Sequence, residues 1–380
     1  MIYREIGKTG REVSVIGLGC EHLDRKPYEQ VKETVDAALS YGVNILDVFM
    51  PGAEVRGNIA KALGGRRGDV RIQGHIGSSD VKQQYDINRD IPTVKKYFED
   101  LLRTFGGYID FGMLFFIDSE NDYKNVFETE FINYAEKLKR DGDILHIGFS
   151  SHNPVTAIKA IETGIPELMM FSINLPFDML PPESYVLDHF EGDFGADLFR
   201  GVDPERAKLY KLCVQKQIGV TVMKTLGAGK LLDAKHCPFS KPMTAPQCIE
   251  YALSRPAVAS ALLGCKTAAE VDEAMKYLSC EDGEKDYTQF LNEKRNDFLG
   301  NCLYCGHCHP CAADIDIATV NKYLDIARLD EKNIPPSVLS HYHSLEKNGA
   351  DCIRCGNCEI RCPFGVQIMD NMEKAAALFG

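Results

Sequence analysis

The chain has 380 residues, of which 44% are hydrophobic and 26% are charged. These proportions are those of a folded globular protein rather than a disordered or fibrous one, and the length suits two domains. A net charge of −12 argues against a nucleic-acid groove as the main function. The sequence shows no apolar run long enough to cross a membrane and no secretory pattern at its start, so we expect neither feature.

Short apolar runs alternate with helical patterns through the first 280 residues, which is typical of a parallel α/β architecture. The first run, Val13–Gly19, predicts a strand, and the apolar positions of Tyr28–Ser40 fall on one helical face. Further strands are predicted at Val43–Asp47, Val70–His75, Phe111–Phe116, His146–Ser150, Leu168–Ile173, Val220–Met223 and Ala259–Gly264. Further helices are predicted at Thr93–Phe105, Phe131–Arg140, Pro154–Glu162, Pro204–Gln217, Ala245–Leu253 and Thr267–Leu278.

This alternation predicts a (β/α)8 TIM barrel over residues 1–280, with the chemistry at the carboxyl ends of its strands. An open doubly wound sheet is the alternative. That fold needs a glycine-rich phosphate loop after its first strand, and Gly17-Leu18-Gly19-Cys20 lacks the third glycine. The segment Gly77–Pro92 is predicted to be a loop, and Pro181–Asp203 a long connection of the kind that shapes or covers the substrate pocket.

Eight of the fourteen cysteines are crowded near the carboxyl terminus in two closely spaced runs. The first run contains Cys302, Cys305, Cys308 and Cys311, and the second contains Cys352, Cys355, Cys358 and Cys362. A disulfide framework would spread its partners, whereas two-residue gaps let neighbouring thiolates converge on one inorganic centre. Zinc is the runner-up, because paired Cys-x2-Cys knuckles also bind it.

The second run has the spacing of bacterial ferredoxins, in which the fourth cysteine ligates the other cluster. This rule predicts two [4Fe–4S] clusters, one held by Cys302, Cys305, Cys308 and Cys362 and the other by Cys352, Cys355, Cys358 and Cys311. Residues 281–380 are therefore predicted to form a small ferredoxin-type domain. It is expected to be mostly helical, with a helix at Ile317–Leu329 and a break at Pro335-Pro336. Such clusters need reducing surroundings, so we expect a cytoplasmic protein working at low oxygen.

Several segments resemble bacterial members of the aldo/keto reductase family. They are Tyr3-Arg4-Glu5-Ile6-Gly7-Lys8-Thr9-Gly10, Ser14-Val15-Ile16-Gly17-Leu18-Gly19-Cys20, Gly42-Val43-Asn44-Ile45-Leu46-Asp47, His146-Ile147-Gly148-Phe149-Ser150 and Met223-Lys224-Thr225-Leu226-Gly227-Ala228-Gly229-Lys230-Leu231. The cysteine-rich tail is similar to that of the subgroup with a C-terminal 4Fe–4S ferredoxin-type domain. The resemblance implies a (β/α)8 barrel that binds NAD(P)H in extended form without a Rossmann motif.

The resemblance also marks the positions of the family's Asp–Tyr–Lys–His tetrad, in which Tyr gives a proton to the substrate carbonyl. Asp47 matches the Asp, but Gly52, His75 and Phe115 stand at the other three positions. With one match in four, the tetrad is degenerate and the family mechanism does not transfer to this chain.

The residues that the family uses to hold NAD(P)H are kept in part. By resemblance, Ser150 and Asn174 would bind the nicotinamide amide, with Ser151 in place of the usual Asn. Lys266 would contact a 2′-phosphate and Glu273 the adenine side. The sequence leaves two alternatives open: NAD(P)H in the barrel, or no nicotinamide at all.

Other polar residues are predicted to gather at the barrel mouth. The catalytic candidates are Asp47, His75 and Lys224, and the candidates for the substrate pocket are His22, Glu54, Arg56, Tyr85 and His152. An imidazolium at His75, paired with Asp47, could donate the proton that the missing Tyr would have given. Tyr85 is another possible donor, and histidines with a carboxylate around one mouth could equally bind a metal.

These features predict an iron–sulfur oxidoreductase in which electrons pass between two [4Fe–4S] clusters and a barrel-mouth site that takes a small-molecule substrate. NAD(P)H is a possible second cofactor, and a ferredoxin or flavoprotein is a possible redox partner. The alternative is an electron-transfer or partner-binding subunit whose barrel is not catalytic.

Overall fold

The computed structural model describes residues 1–81, 84–180, 202–292, 300, 302, 304, 308–328, 331–334, 336–362 and 364–380. In chain order, the strands are β1 (Tyr3–Glu5), β2 (Glu12–Ser14), β3 (Ile16–Gly19), β4 (Ile45–Val48), β5 (Arg71–Ile76), β6 (Ser78–Val81), β7 (Gln84–Ile87), β8 (Ile109–Leu114), β9 (Ile144–Ser151), β10 (Leu168–Ser172), β11 (Gly219–Met223) and β12 (Val258–Leu263).

The helices of the first 280 residues are α1 (Tyr28–Ser40), α2 (Ala53–Leu63), α3 (Ile91–Thr104), α4 (Glu120–Phe127), α5 (Glu130–Asp141), α6 (Pro154–Glu162), α7 (Leu175–Asp178), α8 (Pro204–Gln215), α9 (Ala245–Ser254) and α10 (Ala268–Met275). The remaining described helices are α11 (Asp282–Lys285), α12 (Thr288–Asn292), α13 (Ile317–Ala327), α14 (Pro336–His343), α15 (Asn357–Arg361) and α16 (Ile368–Phe379). None of these described helices is long and apolar enough to span a bilayer.

Eight parallel strands close into a barrel in the order β10–β11–β12–β3–β4–β5–β8–β9. The prediction of a (β/α)8 barrel is therefore confirmed, and the open doubly wound sheet is wrong because a closed barrel has no edge strands. All eight predicted strands correspond to barrel strands, since strands covered on both faces read as continuous apolar runs. The helices predicted at Tyr28–Ser40 and Pro154–Glu162 have the predicted bounds.

Two local predictions were wrong. The run Val13–Gly19 is divided, because Glu12–Ser14 pairs antiparallel with Tyr3–Glu5 in a separate hairpin before the barrel strand begins at Ile16. The segment Gly77–Pro92 is not a plain loop, since it contains the hairpin of β6 and β7. Helices α2 and α4 were not predicted. The described residues do not include 181–201, which make up most of the other predicted loop.

The barrel interior is filled by apolar side chains from the strands and from the first hairpin. This core consists of Ile6, Val13, Ile45, Phe111, Met113, Leu168, Met170, Ala259 and Leu262. Ile6 and Val13 come from the hairpin of β1 and β2, whose Lys8 N–H donates to the carbonyl of Gln217 just before β11. The hairpin therefore packs at the amino ends of the strands and leaves the carboxyl ends for polar residues.

The described residues of the carboxyl-terminal part include the helices α11 to α16. The first predicted helix is present as α13, and α14 begins at Pro336, where proline is tolerated because the first helical N–H needs no partner. Helix α13 packs against α16, and both α13 and α14 contact α8 of the barrel. The tail is thus joined to the barrel through α8.

A buried carboxylate fastens α8 and α9 to the barrel. Asp178, at the end of α7, accepts a hydrogen bond from Tyr251 Oη at 2.7 Å and another from Tyr210 Oη. Arg206 Nη1 lies 3.3 Å from Asp178 Oδ1 and also donates to the carbonyl of Ser172 at 3.0 Å. Asp178 and Arg206 are both inaccessible to solvent, so their charges depend on each other.

We predict that Asp178→Ala lowers the free energy of unfolding by about 3–5 kcal/mol, because the Arg206 guanidinium stays buried without its carboxylate. Urea unfolding of the full chain measures this loss. The control is Asp141→Ala, which removes an exposed pair with Lys137 one helical turn away and should cost no more than about 0.5 kcal/mol. Equal losses for the two variants would contradict the prediction.

Candidate active site

The carboxyl ends of the barrel strands carry an unusual number of buried polar side chains. They are Asp47 on β4, Gln73 and His75 on β5, Asp118 after β8, Ser150 and Ser151 on β9, His152 directly after it, and Ser172 on β10. Parallel strands in a barrel bring these ends to one side of the molecule. This region is called the barrel mouth below.

The structure brings Asp47 and His75 into contact, as the sequence predicted. His75 Nε2 lies 2.8 Å from Asp47 Oδ1, and each residue is 2% exposed. Gln73 Nε2 donates to the same Asp47 oxygen at 2.7 Å, while its Oε1 accepts from Thr221 Oγ1 at 3.0 Å. His75 Nδ1 is buried without a hydrogen-bond partner. The imidazole is therefore anchored through one nitrogen and presents the other for chemistry.

Gln73 and Thr221 are functional-site residues that the sequence analysis missed. Gln73 lies two positions before His75 on β5, and side chains two apart on a strand point to the same face. Thr221 is aligned with Met170, whose sulfur lies 3.2 Å from Gln73 Nε2 inside the barrel. The sequence signal for this network was a glutamine within an apolar strand. It lies two positions before a polar residue at the end of the same strand.

A second histidine–carboxylate pair lies at the neighbouring strand ends. His152 Nδ1 is 2.8 Å from Asp118 Oδ2, and the His152 N–H donates to Oδ1 at 2.6 Å. Ser151 Oγ also donates to Asp118 at 3.1 Å. Burial opposes ionisation of Asp118, but His152 and these hydrogen bonds outweigh it and lower the pKa of Asp118. His152 Nε2 is buried without a hydrogen-bond partner.

Lys224 follows β11 in a left-handed backbone conformation, with φ of 64°. The amide nitrogen of Asn174 donates to the Lys224 carbonyl at 2.9 Å, which holds this bend. Burial lowers the pKa of Lys224 to about 8, although the carboxylates of Glu21 and Asp118 act in the opposite direction. The ammonium group in turn lowers the pKa of His152, so Lys224 interacts with the second pair.

A chain of aromatic ring contacts connects the two pairs. The Phe115 ring lies 5.3 Å from the His75 ring and 6.0 Å from Phe116, which lies 5.4 Å from His152. Tyr85, on β7, packs its ring against Phe115 at 6.1 Å while remaining 41% exposed. The predicted proton donor Tyr85 therefore contacts a ring that also contacts His75, and burial raises the pKa of its phenol.

The other predicted pocket residues have different surroundings. Glu54 is exposed in the first turn of α2, whereas Arg56 is buried and donates to the carbonyls of Met50 and Tyr97 at 2.9 and 2.7 Å. These bonds fasten α2 to its neighbours, and burial lowers the pKa of Arg56 to about 10. His22 is exposed in a turn after β3, and its ring leaves no room for a side chain at Gly264.

The predicted NAD(P)H contacts fall into two groups. Ser150 Oγ accepts from the Phe116 N–H at 2.9 Å and retains its own hydrogen for a ligand. Asn174 caps α7 by accepting from the Phe177 N–H. Ser151 Oγ instead donates its hydrogen bond to Asp118.

At the other end of the predicted cofactor site, Lys266 and Glu273 are exposed near the start of α10 and within it. A cation near a helix amino terminus suits a phosphate. The residues present therefore fit a nicotinamide nucleotide in part, with Ser150 and Lys266 as the groups able to bind it.

One pocket in the tail has four cysteines in its lining, and they come from both sequence runs. It is lined by Cys311, Cys352, Cys355 and Cys358. These four are free thiols rather than disulfides, and the Ala313 N–H points to Cys311 Sγ at 3.4 Å. The apolar part of the lining includes Ile315, Ile317, Ile353, Met369 and Met372.

Of the other predicted ligand set, Cys302 and Cys362 are partly buried and Cys308 is buried, while Cys305 lies outside the described residues. In the described parts of the chain, no three His, Cys, Asp or Glu side chains are close enough together to hold a metal ion. Within the described residues, this holds for the histidines of the mouth and for the cysteines of the tail pocket alike.

The two cysteine runs share a backbone feature that their spacing alone does not reveal. Tyr304 and Arg354, each directly before the second cysteine of its run, have positive φ angles of 56° and 54°. Arg361 joins the runs, because its Nη2 donates to the carbonyls of Cys308 and Pro310 at 2.8 and 2.6 Å. Both runs follow the pattern Cys-x2-Cys-Gly-x-Cys, a repeat that the sequence analysis did not single out.

Comparison with solved structures shows the same barrel in other proteins. The holo form of an aldo-keto reductase from Bacillus halodurans matches with a TM-score of 0.56 and 19% identity, over 76% of this chain and 95% of that chain. A Pseudomonas aeruginosa protein assigned to the aldo-keto reductases matches with a TM-score of 0.55 and 20% identity, over 73% and 95% of the two chains. At this identity, the likeness concerns the fold alone.

No curated protein matches the sequence significantly. The sequence model of the aldo/keto reductase family, however, matches residues 15–247, which is more than half of the chain. The matched region spans the barrel strands from β3 to β11 and therefore includes both histidine–carboxylate pairs. The chain belongs to the aldo/keto reductase family and is an oxidoreductase by that membership.

Proposed function

We propose that this oxidoreductase is an iron–sulfur member of its family, in which a barrel covering residues 1–280 works with a ferredoxin-type domain covering residues 281–380. The observation that carries the proposal is the tail pocket lined by Cys311, Cys352, Cys355 and Cys358. Those four cysteines are the set that ferredoxin spacing assigns to one cluster. Thiolate sulfur from cysteine is the ligand that [4Fe–4S] clusters take in proteins.

In this proposal Cys302, Cys305, Cys308 and Cys362 hold a second cluster. When bound, such clusters supply one-electron transfer. Arg361 fastens the segment of Cys308 to the helix that precedes Cys362 and so keeps the two ligand sets in register. The tail rests on α8, whose Arg206 also donates to the carbonyl of His152 at 3.4 Å. The proposed electron-carrying part therefore contacts the element that supports the barrel mouth.

At the mouth, residues of the chain itself would donate and accept protons. Asp47 and Gln73 fix the imidazole of His75, which can deliver or accept a proton at Nδ1 in place of the missing tyrosine. Lys224, with its lowered pKa, supplies a positive charge that can be lost near neutral pH. The small-molecule substrate would bind between these groups and the aromatic rings of Tyr85 and Phe115.

The proposal includes NAD(P)H as a second cofactor, with Ser150 at the mouth and Lys266 near the start of α10 as its contacts. It also includes a ferredoxin or flavoprotein as electron partner, in a reducing cytoplasmic setting. A non-catalytic barrel is disfavoured, because burying Asp47 and Asp118 costs free energy that an inactive pocket has no reason to retain.

The iron content of the protein tests the cluster proposal directly. Purified without air, the chain should contain about eight irons and eight sulfides, and Cys355→Ser should lose about half of them because it removes one ligand of one cluster. Chemical analysis of iron and sulfide measures both values. The matched control, Cys280→Ser, changes a cysteine outside both runs and should keep the full content. Zinc or no metal in the wild-type protein would overturn the cluster proposal.

Nucleotide binding tests the second cofactor. Lys266→Met should weaken NADPH binding by about 10- to 100-fold, because a charged hydrogen bond to the 2′-phosphate is lost, and should leave NADH binding unchanged. Fluorescence titration of the anaerobic protein measures both affinities. Lys137→Met, at an exposed site on α5, serves as the control. If wild-type protein binds neither nucleotide, NAD(P)H is removed from the proposal and the clusters remain.

The lowered pKa of Lys224 predicts its chemical reactivity. Burial favours the neutral amine, so Lys224 should become acetylated with a midpoint near pH 8. Lys137, whose pKa is raised by its hydrogen bond to Asp141, should react only at a higher pH in the same sample. Limited acetylation followed by mass spectrometry gives both midpoints. Parallel pH curves for the two lysines would contradict the predicted desolvation.

A further inference from the structure

We propose that His152, held by Asp118, is a second proton-transferring group of the barrel mouth, and that His75 and His152 together serve the two oxygens of a planar aromatic dihydroxy compound or its quinone. Nothing in the family match assigns this role to His152. The inference rests on the proposed function only for the electron acceptor, which is a one-electron carrier of the iron–sulfur class.

The position of the proton on His152 follows from its partner. Asp118 accepts hydrogen bonds from Ser151 Oγ, from the His152 N–H and from His152 Nδ1. An ionised carboxylate has no hydrogen to give, so His152 Nδ1 must carry one. In the neutral imidazole, Nε2 then has a lone pair, and this atom is buried without a hydrogen-bond partner. This nitrogen can therefore accept a hydrogen bond from a bound ligand.

His75 is also anchored by a carboxylate, but through its other ring nitrogen. Its Nε2 faces Asp47 at 2.8 Å, and Nδ1 is the buried atom without a partner. The two imidazoles are linked by the rings of Phe115 and Phe116, each of which contacts one histidine. The mouth therefore presents two separate imidazole acceptors along an aromatic wall. Two hydroxyl groups on a flat ring system match this arrangement, since aromatic faces pack well against each other.

The chemical step balances with two protons and two electrons. In the oxidative direction, one O–H bond breaks and its proton goes to His75 Nδ1, while the other proton goes to His152 Nε2. Two electrons leave singly to the one-electron carrier, and the two C–O bonds become carbonyls. In the reductive direction, the two imidazolium groups return their protons as the carrier supplies two electrons.

The charges around His152 keep it ready to accept a proton. The charged groups that face it are Asp118, Lys224 and Arg206. Burial lowers the pKa of His152, Asp118 opposes this effect, and Lys224 and Arg206 add to it. The net lowering leaves the imidazole neutral at neutral pH, which is the state needed to bind a hydroxyl group.

Nuclear magnetic resonance of the full chain, with 15N-labelled histidine and kept without air, tests the inference. The free protein should show a hydrogen on His152 Nδ1 and a lone pair on Nε2. Adding 1,4-dihydroxynaphthalene should move the ring-nitrogen signals of both His75 and His152. Adding its monomethyl ether, which has one hydroxyl group, should move only one of the two. A hydrogen on His152 Nε2, or a His152 signal unmoved by the dihydroxy probe, would overturn the inference.

Affinity supplies a second measurement. His152→Gln and His75→Gln should each weaken binding of the dihydroxy probe by about 3- to 10-fold, the value of one hydrogen bond. The matched control is His236→Gln, which breaks an exposed histidine–aspartate pair with Asp233 and should leave the affinity unchanged. A His152→Gln variant that binds like the control would also overturn the inference.

Asp118→Asn provides a readout that a purely structural role would not give. A neutral amide no longer stabilises the imidazolium, so the pKa of His152 should fall further in this variant. Lys224→Met should raise the pKa of His152, because the neighbouring positive charge is removed. Shifts in the opposite directions would overturn the proposed arrangement. These spectra do not depend on iron content, so failure of the cluster proposal and failure of this inference are separate results.

Discussion

The burial of a carboxylate at the end of β4 is the constraint on which the rest of the site depends. Asp47 is 2% exposed within an apolar barrel, and an unpaired charge in such a place is expensive. It is therefore matched by two donors, Gln73 and His75, which reach it from the neighbouring strand. That pairing consumes His75 Nε2 and leaves Nδ1 without a partner, so in the proposed function the position of one aspartate decides which nitrogen can move a proton.

The barrel was predictable because its strands are buried on both faces and read as continuous apolar runs. The hairpin of β6 and β7 was not, because the segment from Ser78 to Ile87 is polar at most positions. Its structure depends on packing against its surroundings, as when Tyr85 contacts Phe115. The run Val13–Gly19 misled for the opposite reason. A single apolar stretch runs from the hairpin of β1 and β2 into β3, the first barrel strand.

For the site, strand order sufficed to bring Asp47 and His75 together, because β4 and β5 are neighbours in the barrel. The pairing of His152 with Asp118 was not predicted, since both residues lie beyond their strands and their directions are set by local turns. Arg56 shows a further limit. The sequence analysis placed it in the substrate pocket, yet the structure buries it against the carbonyls of Met50 and Tyr97.

In the proposed function, the replacement of the family's tyrosine and the cysteine-rich tail have one physical explanation in common. Hydride transfer to a carbonyl moves both electrons at once and needs one proton donor at one oxygen. Electrons that arrive singly from iron–sulfur clusters need a site that manages a proton for each of them. A mouth with two anchored imidazoles along an aromatic wall meets that requirement, whereas a single phenol does not. Under this proposal the degenerate tetrad is the expected companion of the tail, because electrons from the proposed clusters would change what the barrel must do with protons.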